Sequence, residues 1–447
     1  VTDPIHHRSL FGSYFTYVGE TETPQLFHRW CVLSAAAAML GRQVYLPFGD
    51  FRIFPNIYIQ LIGEPATRKS TAIKLAKKVL TASGYEHFSY DRTSMEQFLV
   101  DLEGITDDNG KLKKSDDLEL SDILGTDKTP KEVFVCADEF LDFMGPSNLQ
   151  FLSLLGTLWD WDSEDRPYDR RLKQTRSISI YQPTVNLLTG NTHESFSLVF
   201  PPQAIGQGIL SRMLFIYSEP TGRQISKPKT PSPELRQKVA EVLMHIKATV
   251  HGECTIDPTA DRMLDTIYRI YKGIDDVRFK YYNNRRHIQL LKLCMLIAAI
   301  HRRVVIRDSD VIFANTLLSF TEHFMPKAFG EYGKSRHSDV TAKIISVLNA
   351  ADAPVTMTTL WQQCQSDLEN AAELQKLIQG LVMANKVQFI HKAGASPISG
   401  YLPVRTALKQ ELLYVDYNLL SEAKMMHTQP LTRGETLDHI LSETELK

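Results

Sequence analysis

The chain has 447 residues, 43% of them apolar and 23% charged, with a formal net charge of −2. That length favours two or three domains over one, and that balance excludes a disordered chain. A charge so near zero excludes a uniformly basic surface, so any contact with nucleic acid has to come from a local basic patch.

No stretch approaches the roughly 20 unbroken apolar residues that a membrane span needs, and Val1 to Leu10 lacks the basic flank and apolar run of a signal peptide. The expectation is a cytoplasmic protein without membrane contact. The five cysteines, Cys31, Cys136, Cys254, Cys294 and Cys364, stand singly, which suits neither a disulfide framework nor a paired-cysteine zinc site. A chain opening on Val1 and not on methionine is expected to be a fragment of a longer one.

In chain order, apolar residues recur at helical spacing from Pro24 to Met39 until Gly41 stops them, and this N-terminal helical segment (1–55) is expected to feed a strand. Asn56 to Ile62 is rich in β-branched and aromatic residues, breaks at Gly63 and turns helical from Ser70 to Leu80, which reads as strand, loop, helix. Gly104 to Lys131 is polar and reads as an insertion with a hairpin turn at Asn109-Gly110. Strand signals return at Val133 to Ala137, Thr184 to Thr189 and Met213 to Tyr217, so a mostly parallel α/β core is expected over 56–225.

After the proline-punctuated Ser226 to Pro233 the pattern is helical only, through Val239–Ile246, Ala260–Tyr271, His287–Ile300 and Asp308–Phe324, giving a helical lid over 226–335. From Ser338 three helices are expected, the second capped by Thr356 and the third running Asn370 to Ala384. Two short strands around Gly394 and Gly400 would follow, the pattern of a winged helix over 336–405 ahead of a tail at 406–447. Few basic residues mark its third helix and wing (Lys376, Lys386, Lys392), which suits a protein contact at least as well as groove reading.

Gly63-Glu64-Pro65-Ala66-Thr67-Arg68-Lys69-Ser70, followed by Thr71, matches G-x-x-x-x-G-K-[ST] except that Arg68 stands at the second glycine. Backbone amides there would cradle the phosphates of ATP, Lys69 would neutralise the β and γ oxygens, and Ser70 would ligate Mg2+. The plain alternative is a strand-to-helix turn with a solvated lysine. The buried strand ending in Asp138-Glu139 would supply a metal-holding aspartate and a water-polarising glutamate, or else an acid pair capping the next helix. Asn191 would orient the attacking water, or is a turn asparagine. Arg212, at the mouth of an apolar strand, would serve a neighbouring subunit's phosphate or be a salt-bridged structural arginine. Arg285 and Arg286 are adjacent, and the sequence does not choose which approaches the γ-phosphate. Arg166, Arg170, Arg171, Lys173 and Arg176 cluster in a stretch able to form a hairpin, where they would follow a nucleic-acid backbone or form a solvated run.

In this order the motifs resemble those of AAA+ ATPases of the minichromosome-maintenance helicase type, and more closely those of primase-helicase-like proteins of phages and plasmids, over roughly Pro24 to Phe324. In that group an arginine often precedes the loop lysine, as Arg68 does. The resemblance implies that Leu210 to Arg212 is an arginine-finger motif and that Arg285 or Arg286 is the lid arginine called sensor 2. It makes Asn191 the sensor 1 residue and Arg170 to Lys173 (Arg170, Arg171, Lys173) a hairpin lining a DNA pore. It further implies a ring, commonly a hexamer, with ATP between subunits and single-stranded DNA through the centre, and replication partner proteins reached through the winged helix or tail. The expected function is therefore an ATP-driven helicase or translocase. The alternatives are an ATP-dependent initiator or loader that does not unwind, and an inactive structural relative, against which Glu139 argues.

Overall fold

The computed structural model describes residues 9–104, 129–163, 166–170, 177–201, 204, 208–221, 225–330, 336–351, 353–368, 370–383, 386–390, 399–403 and 414–416. They fall into two compact units, one formed by the described residues up to Gly330 together with 414–416, the other by those from 336 to 403.

The first unit opens with α1 (Leu10–Val18), capped by Ser9, and α2 (Gln25–Leu40). Helix α2 is buried on every side from Leu26 to Leu40, as expected of a central helix that meets core all round. An antiparallel ribbon follows, β1 (Val44–Phe48) and β2 (Phe51–Ile53), in register Leu46 to Ile53. Then come β3 (Tyr58–Ile62), α3 (Lys69–Ala82), α4 (Met95–Glu103), β4 (Glu132–Ala137), α5 (Phe140–Met144) and α6 (Leu149–Trp159). Strands β5 (Tyr168–Arg170) and β6 (Ile178–Ile180) form an antiparallel pair, and residues 171–176 between them lie outside the described residues. β7 (Thr184–Asn191), α7 (His193–Val199) and β8 (Met213–Tyr217) complete the sheet region.

β3, β4, β7 and β8 form one parallel sheet in the order β4-β7-β3-β8. Every residue of β3 and β7 is buried, the signature of a parallel sheet covered on both faces, and α2, α3, α6 and α11 (Asp308–Phe329) pack against these strands. The expected α/β core is therefore present. Because all four strands run the same way, Gly63, Asp138 and Asn191 share the carboxyl edge while Asn56, Lys131 and Met213 share the opposite one.

The segment expected to be purely helical contains α8 (Pro233–Thr249), α9 (Pro258–Ile270), α10 (Lys280–Ile300) and α11, but also three two-residue strands. β9 (Gly252–Glu253) pairs parallel with β1, and β10 (Thr255–Ile256) with β11 (Val305–Ile306). Strands this short leave no period for sequence reading to detect. Helix α10 begins seven residues before the expected His287 because its first two turns are polar and aromatic. At 414–416 the chain lies on α11, where Asn315 Nδ2 donates to the Tyr414 carbonyl and the Asp416 amide donates to Thr316 Oγ1. The expected insertion hairpin at Asn109-Gly110 and nearly all of the 406–447 tail lie outside the described residues.

The second unit holds α12 (Arg336–Asn349), α13 (Met357–Cys364), α14 (Ala371–Met383) and the antiparallel pair β12 (Val387–Ile390) and β13 (Gly400–Pro403). Thr356 caps α13 by accepting from the Thr359 amide. Val340, Ile344, Leu360, Leu374, Ile378 and Val387 form its core. The first strand lies ahead of the expected Gly394, because Val387 supplies the inward side chain and sets the register. Gly400 is obligatory, since a Cβ there would meet the Val355 carbonyl oxygen at 2.6 Å.

Candidate functional site at the carboxyl edge of the parallel sheet

Strand β3 stops at Gly63 because a side chain cannot follow: a Cβ there would lie 2.7 Å from the Ser218 carbonyl oxygen and 3.0 Å from Thr67 Oγ1. Ala66 (φ 70°) and Arg68 (φ 62°) then take left-handed conformations that are unfavourable for non-glycine residues by roughly 1–2 kcal/mol each. Strain of this kind persists only where surrounding contacts fix it. At Arg68 the contact is an ion pair with Glu22 at 2.6 Å, and Glu22 also accepts from the Ile225 amide. Arg68 therefore points away from the loop interior while its backbone supplies the turn that glycine would otherwise make.

The bend creates a bowl, and the Lys69 ammonium occupies it. Nζ donates to the Gly63 carbonyl at 2.7 Å, the Glu64 carbonyl at 3.0 Å and Thr67 Oγ1 at 3.2 Å. Burial lowers its pKa, while the charges of Glu139 and Glu64 act in the opposite direction. Helix α3 starts here without a side-chain cap, so the first-turn amides of Lys69, Ser70 and Thr71 face the bowl as uncapped donors. Pro65 is exposed on the rim and Ser70 is half-buried.

β4 delivers Asp138 and Glu139 one strand beyond β7. Gly190 makes this approach possible, since a Cβ on it would sit 2.6 Å from the Asp138 carbonyl oxygen and 3.6 Å from Lys69 Cβ. Asp138 is ion-paired with Lys74 at 2.6 Å, one turn beyond Ser70 on α3. Glu139 does occupy the N-cap position of α5, yet its side chain makes no capping hydrogen bond, so its exposed carboxylate is not spent on the helix.

Asn191 closes β7 instead of following it, in register with Ile62. It is buried, its Nδ2 donating to Gln60 Oε1 at 2.8 Å and its Oδ1 accepting from Ser195 Oγ at 3.3 Å. Two buried polar atoms beside it, Gln60 Nε2 and Thr189 Oγ1, have no partner among the described residues. Sequence reading missed Gln60, although a glutamine centred in Tyr-Ile-Gln-Leu-Ile is the signal that could have found it. It also missed His193, whose Nε2 lies 3.7 Å from Glu64 Oε1 above the loop.

The arginines lie elsewhere. Arg212 precedes Met213, which pairs with Tyr58 at the start of β3. At about 3.3 Å per residue, the five positions from Tyr58 to Gly63 separate Arg212 from its own loop by roughly 16 Å. Its Nε and Nη2 donate to Asp160 Oδ2 at 3.0 and 2.6 Å, and its Nη1 to the Gly208 carbonyl at 3.0 Å. Arg285 reaches the same Asp160 oxygen with Nη1 at 3.0 Å, so it too lies at the amino edge. Arg286 turns inward and is buried against Glu322. Of the adjacent pair Arg286 is buried and Arg285 half-exposed, and Arg285 stands with Arg212 at the edge opposite the bowl.

Beside the same edge, Lys292 is buried over the Trp159 ring and donates to Asn56, and burial pushes its pKa down to about 7. Arg170 lies 3.9 Å from Glu96 and contacts Met95 Sδ. Arg171 and Lys173 lie outside the described residues.

No helix among the described residues is long and apolar enough to cross a membrane. No protein-family model matches the chain, and no curated protein matches it.

Proposed function

We propose that the chain is a P-loop ATPase of the AAA+ type that forms a ring and moves on single-stranded DNA as a helicase or translocase in phage or plasmid replication. The observation that carries this reading is Lys69, whose ammonium fills a bowl of backbone at the carboxyl end of a parallel strand, with Glu139 near enough to act on its charge. Open α/β sheets bind ligands at this edge. A β or γ phosphate seated there would take over the bonds Lys69 makes to loop carbonyls and accept from the uncapped amides of α3.

The donor set fits ATP with Mg2+. The Ser70 hydroxyl and Asp138 carboxylate are hard oxygen donors that follow strands β3 and β4 on either side of β7, and Asp138 is engaged by the exposed ammonium of Lys74. Bound there, Mg2+ would neutralise charge on the phosphate oxygens. Glu139 would take the proton of the attacking water, and Asn191, gripped by Gln60 and Ser195, would hold that water's position.

Arg212 and Arg285 stand too far from their own loop to touch its ligand, which supports a head-to-tail contact in which they serve a neighbour's nucleotide. Such a contact is heterologous and closes into a ring when its rotation permits. The helices from α8 to α11 would be the lid of this enzyme and the second unit its winged helix.

Steady-state hydrolysis with nucleotide binding tests the reading. Lys69→Ala is expected to abolish turnover almost completely, and Glu139→Gln to bind ATP without hydrolysing it. Wild-type turnover by Lys69→Ala would remove this loop as the active site.

A further inference from the structure

We infer that Asp160 is a positioning residue that binds Arg212 and Arg285 into one unit and aims both at a phosphate acceptor on a second copy of this chain. The inference rests on the ATPase reading and names a residue to which neither motif nor resemblance points.

Asp160 ends α6, and its side chain is 40% exposed. A single carboxylate oxygen, Oδ2, receives three N–H groups from two guanidiniums that come from distant parts of the chain, one before β8 and one on α10. Without that anion the two cations would repel each other. Its neighbours hold it firm. The preceding Trp159 ring lies beneath Lys292, and Asp162 is already committed to Arg52 at 2.7 Å, so it cannot substitute.

The pattern of donors matters more than the charge. Asp160 grips Arg212 along its Nε–Nη2 side, and Gly208 takes one donor of Nη1. A guanidinium has five N–H groups, so one on Nη1 and one on Nη2 remain, donors of the kind that bind a phosphate. Arg285 spends Nη1 alone on Asp160. The carboxylate thus restrains both side chains without using all of their donors. Gln289 Nε2, donating to the Arg212 carbonyl, ties the backbone of one arginine to the helix of the other.

The test compares full-length wild type, Asp160→Asn, Arg212→Ala and the double variant in steady-state ATP hydrolysis. Asp160→Asn keeps the size and loses the charge, and is expected to lower kcat about ten- to a hundred-fold with KM nearly unchanged. The double variant is expected to be slower than Arg212→Ala, but by less than the full Asp160→Asn factor, because Asp160 acts partly through Arg212 and partly through Arg285. Asp160→Glu is expected to recover part of the loss. In mixed assemblies with Lys69→Ala subunits, Asp160→Asn subunits are expected to regain hydrolysis as Arg212→Ala subunits do, since both lack only what is given to a neighbour. Lys69-dependent turnover together with a wild-type kcat in Asp160→Asn overturns this assignment alone. So does a double variant slower than Arg212→Ala by the full Asp160→Asn factor. A wild-type chain that hydrolyses no ATP overturns the ATPase reading and this inference with it.

Discussion

Arg286 and Glu322 form a buried ion pair, the Arg286 Nε–H shared between both carboxylate oxygens at 2.8 and 2.9 Å, one residue along the chain from the half-exposed Arg285. Asn315 Oδ1 and Ser319 Oγ accept from Arg286 Nη2, the Tyr282 hydroxyl donates to Glu322, and the Tyr271 ring lies under the guanidinium. Two neighbouring arginines on α10 therefore have different work.

Arg286→Ala leaves the Glu322 carboxylate buried without its cation, and removing one partner of such a pair typically destabilises by about 3–5 kcal/mol. A large drop in the unfolding midpoint is expected, with activity lost through the fold. Arg285→Ala breaks a partly exposed contact, so its midpoint is expected to stay within about 1 kcal/mol of wild type while ATP turnover falls. Chemical denaturation run beside hydrolysis checks both. A stable Arg286→Ala protein that has lost only turnover would exchange the two roles.

The second prediction is a loss of stability in mild acid. His28 is buried in α2 with its Nδ1 unpartnered among the described residues, and burial lowers its pKa to about 3. His323 on α11 is lowered to about 4, by burial and then by Lys327. Between pH 6.5 and about 4 the unfolded chain protonates both imidazoles and the native state resists, so native stability falls as pH falls through this window. At mid-window each histidine contributes a slope of about 1.4 kcal/mol per pH unit. Asp310, for which burial opposes the shift but His301, Arg303 and the Arg307 amide hold the pKa down, loses its contribution only in stronger acid. Unfolding free energies between pH 7.5 and 4.5 should therefore fall less steeply in His28→Gln than in wild type. Parallel curves would show that His28 does not set the slope.

Much of the fold was legible because it follows period and punctuation. Alternation of buried strands with helices marked β3, β4, β7 and β8, and the break at Gly63 marked the loop. Helix α1 escaped notice although Leu10, Tyr14, Tyr17 and Val18 recur at helical spacing, because nine residues give the period little more than two turns to show itself. The β1–β2 ribbon escaped because Pro47 and the Gly49-Asp50 turn interrupt it. At the site, residue type and spacing located Lys69, Asp138, Glu139 and Asn191, since each stands at the boundary of an element. Gln60, Glu22 and Lys74 around them, and Asp160 at the arginines, are defined by partners on other elements, and Asp160 meets Arg285 across 125 positions of chain. Only the folded topology brings such pairs together.

The last prediction concerns the hairpin of β5 and β6. Its outgoing strand ends at Arg170, and the connection to Ile178 contains Arg171 and Lys173. If these residues follow the phosphates of a single strand, each contact contributes a slope of about 0.7 to the dependence of log affinity on log salt. Replacing Arg170, Arg171 and Lys173 by alanine should then weaken single-strand binding and flatten that dependence by about two units. Arg170 also lies 3.9 Å from Glu96 and against Met95, but Glu96 is half-exposed, so the substitution gives up only a screened surface pair. Basal ATP hydrolysis should therefore survive in the triple variant. Binding of a fluorescent oligonucleotide across a salt series, measured beside ATP turnover, separates the outcomes. A folding defect would damage both activities, whereas loss of a backbone-tracking surface affects binding alone. Unchanged affinity and slope would take the hairpin out of the DNA path, and an ATP-dependent switch that assembles without translocating would then be the better reading of the chain.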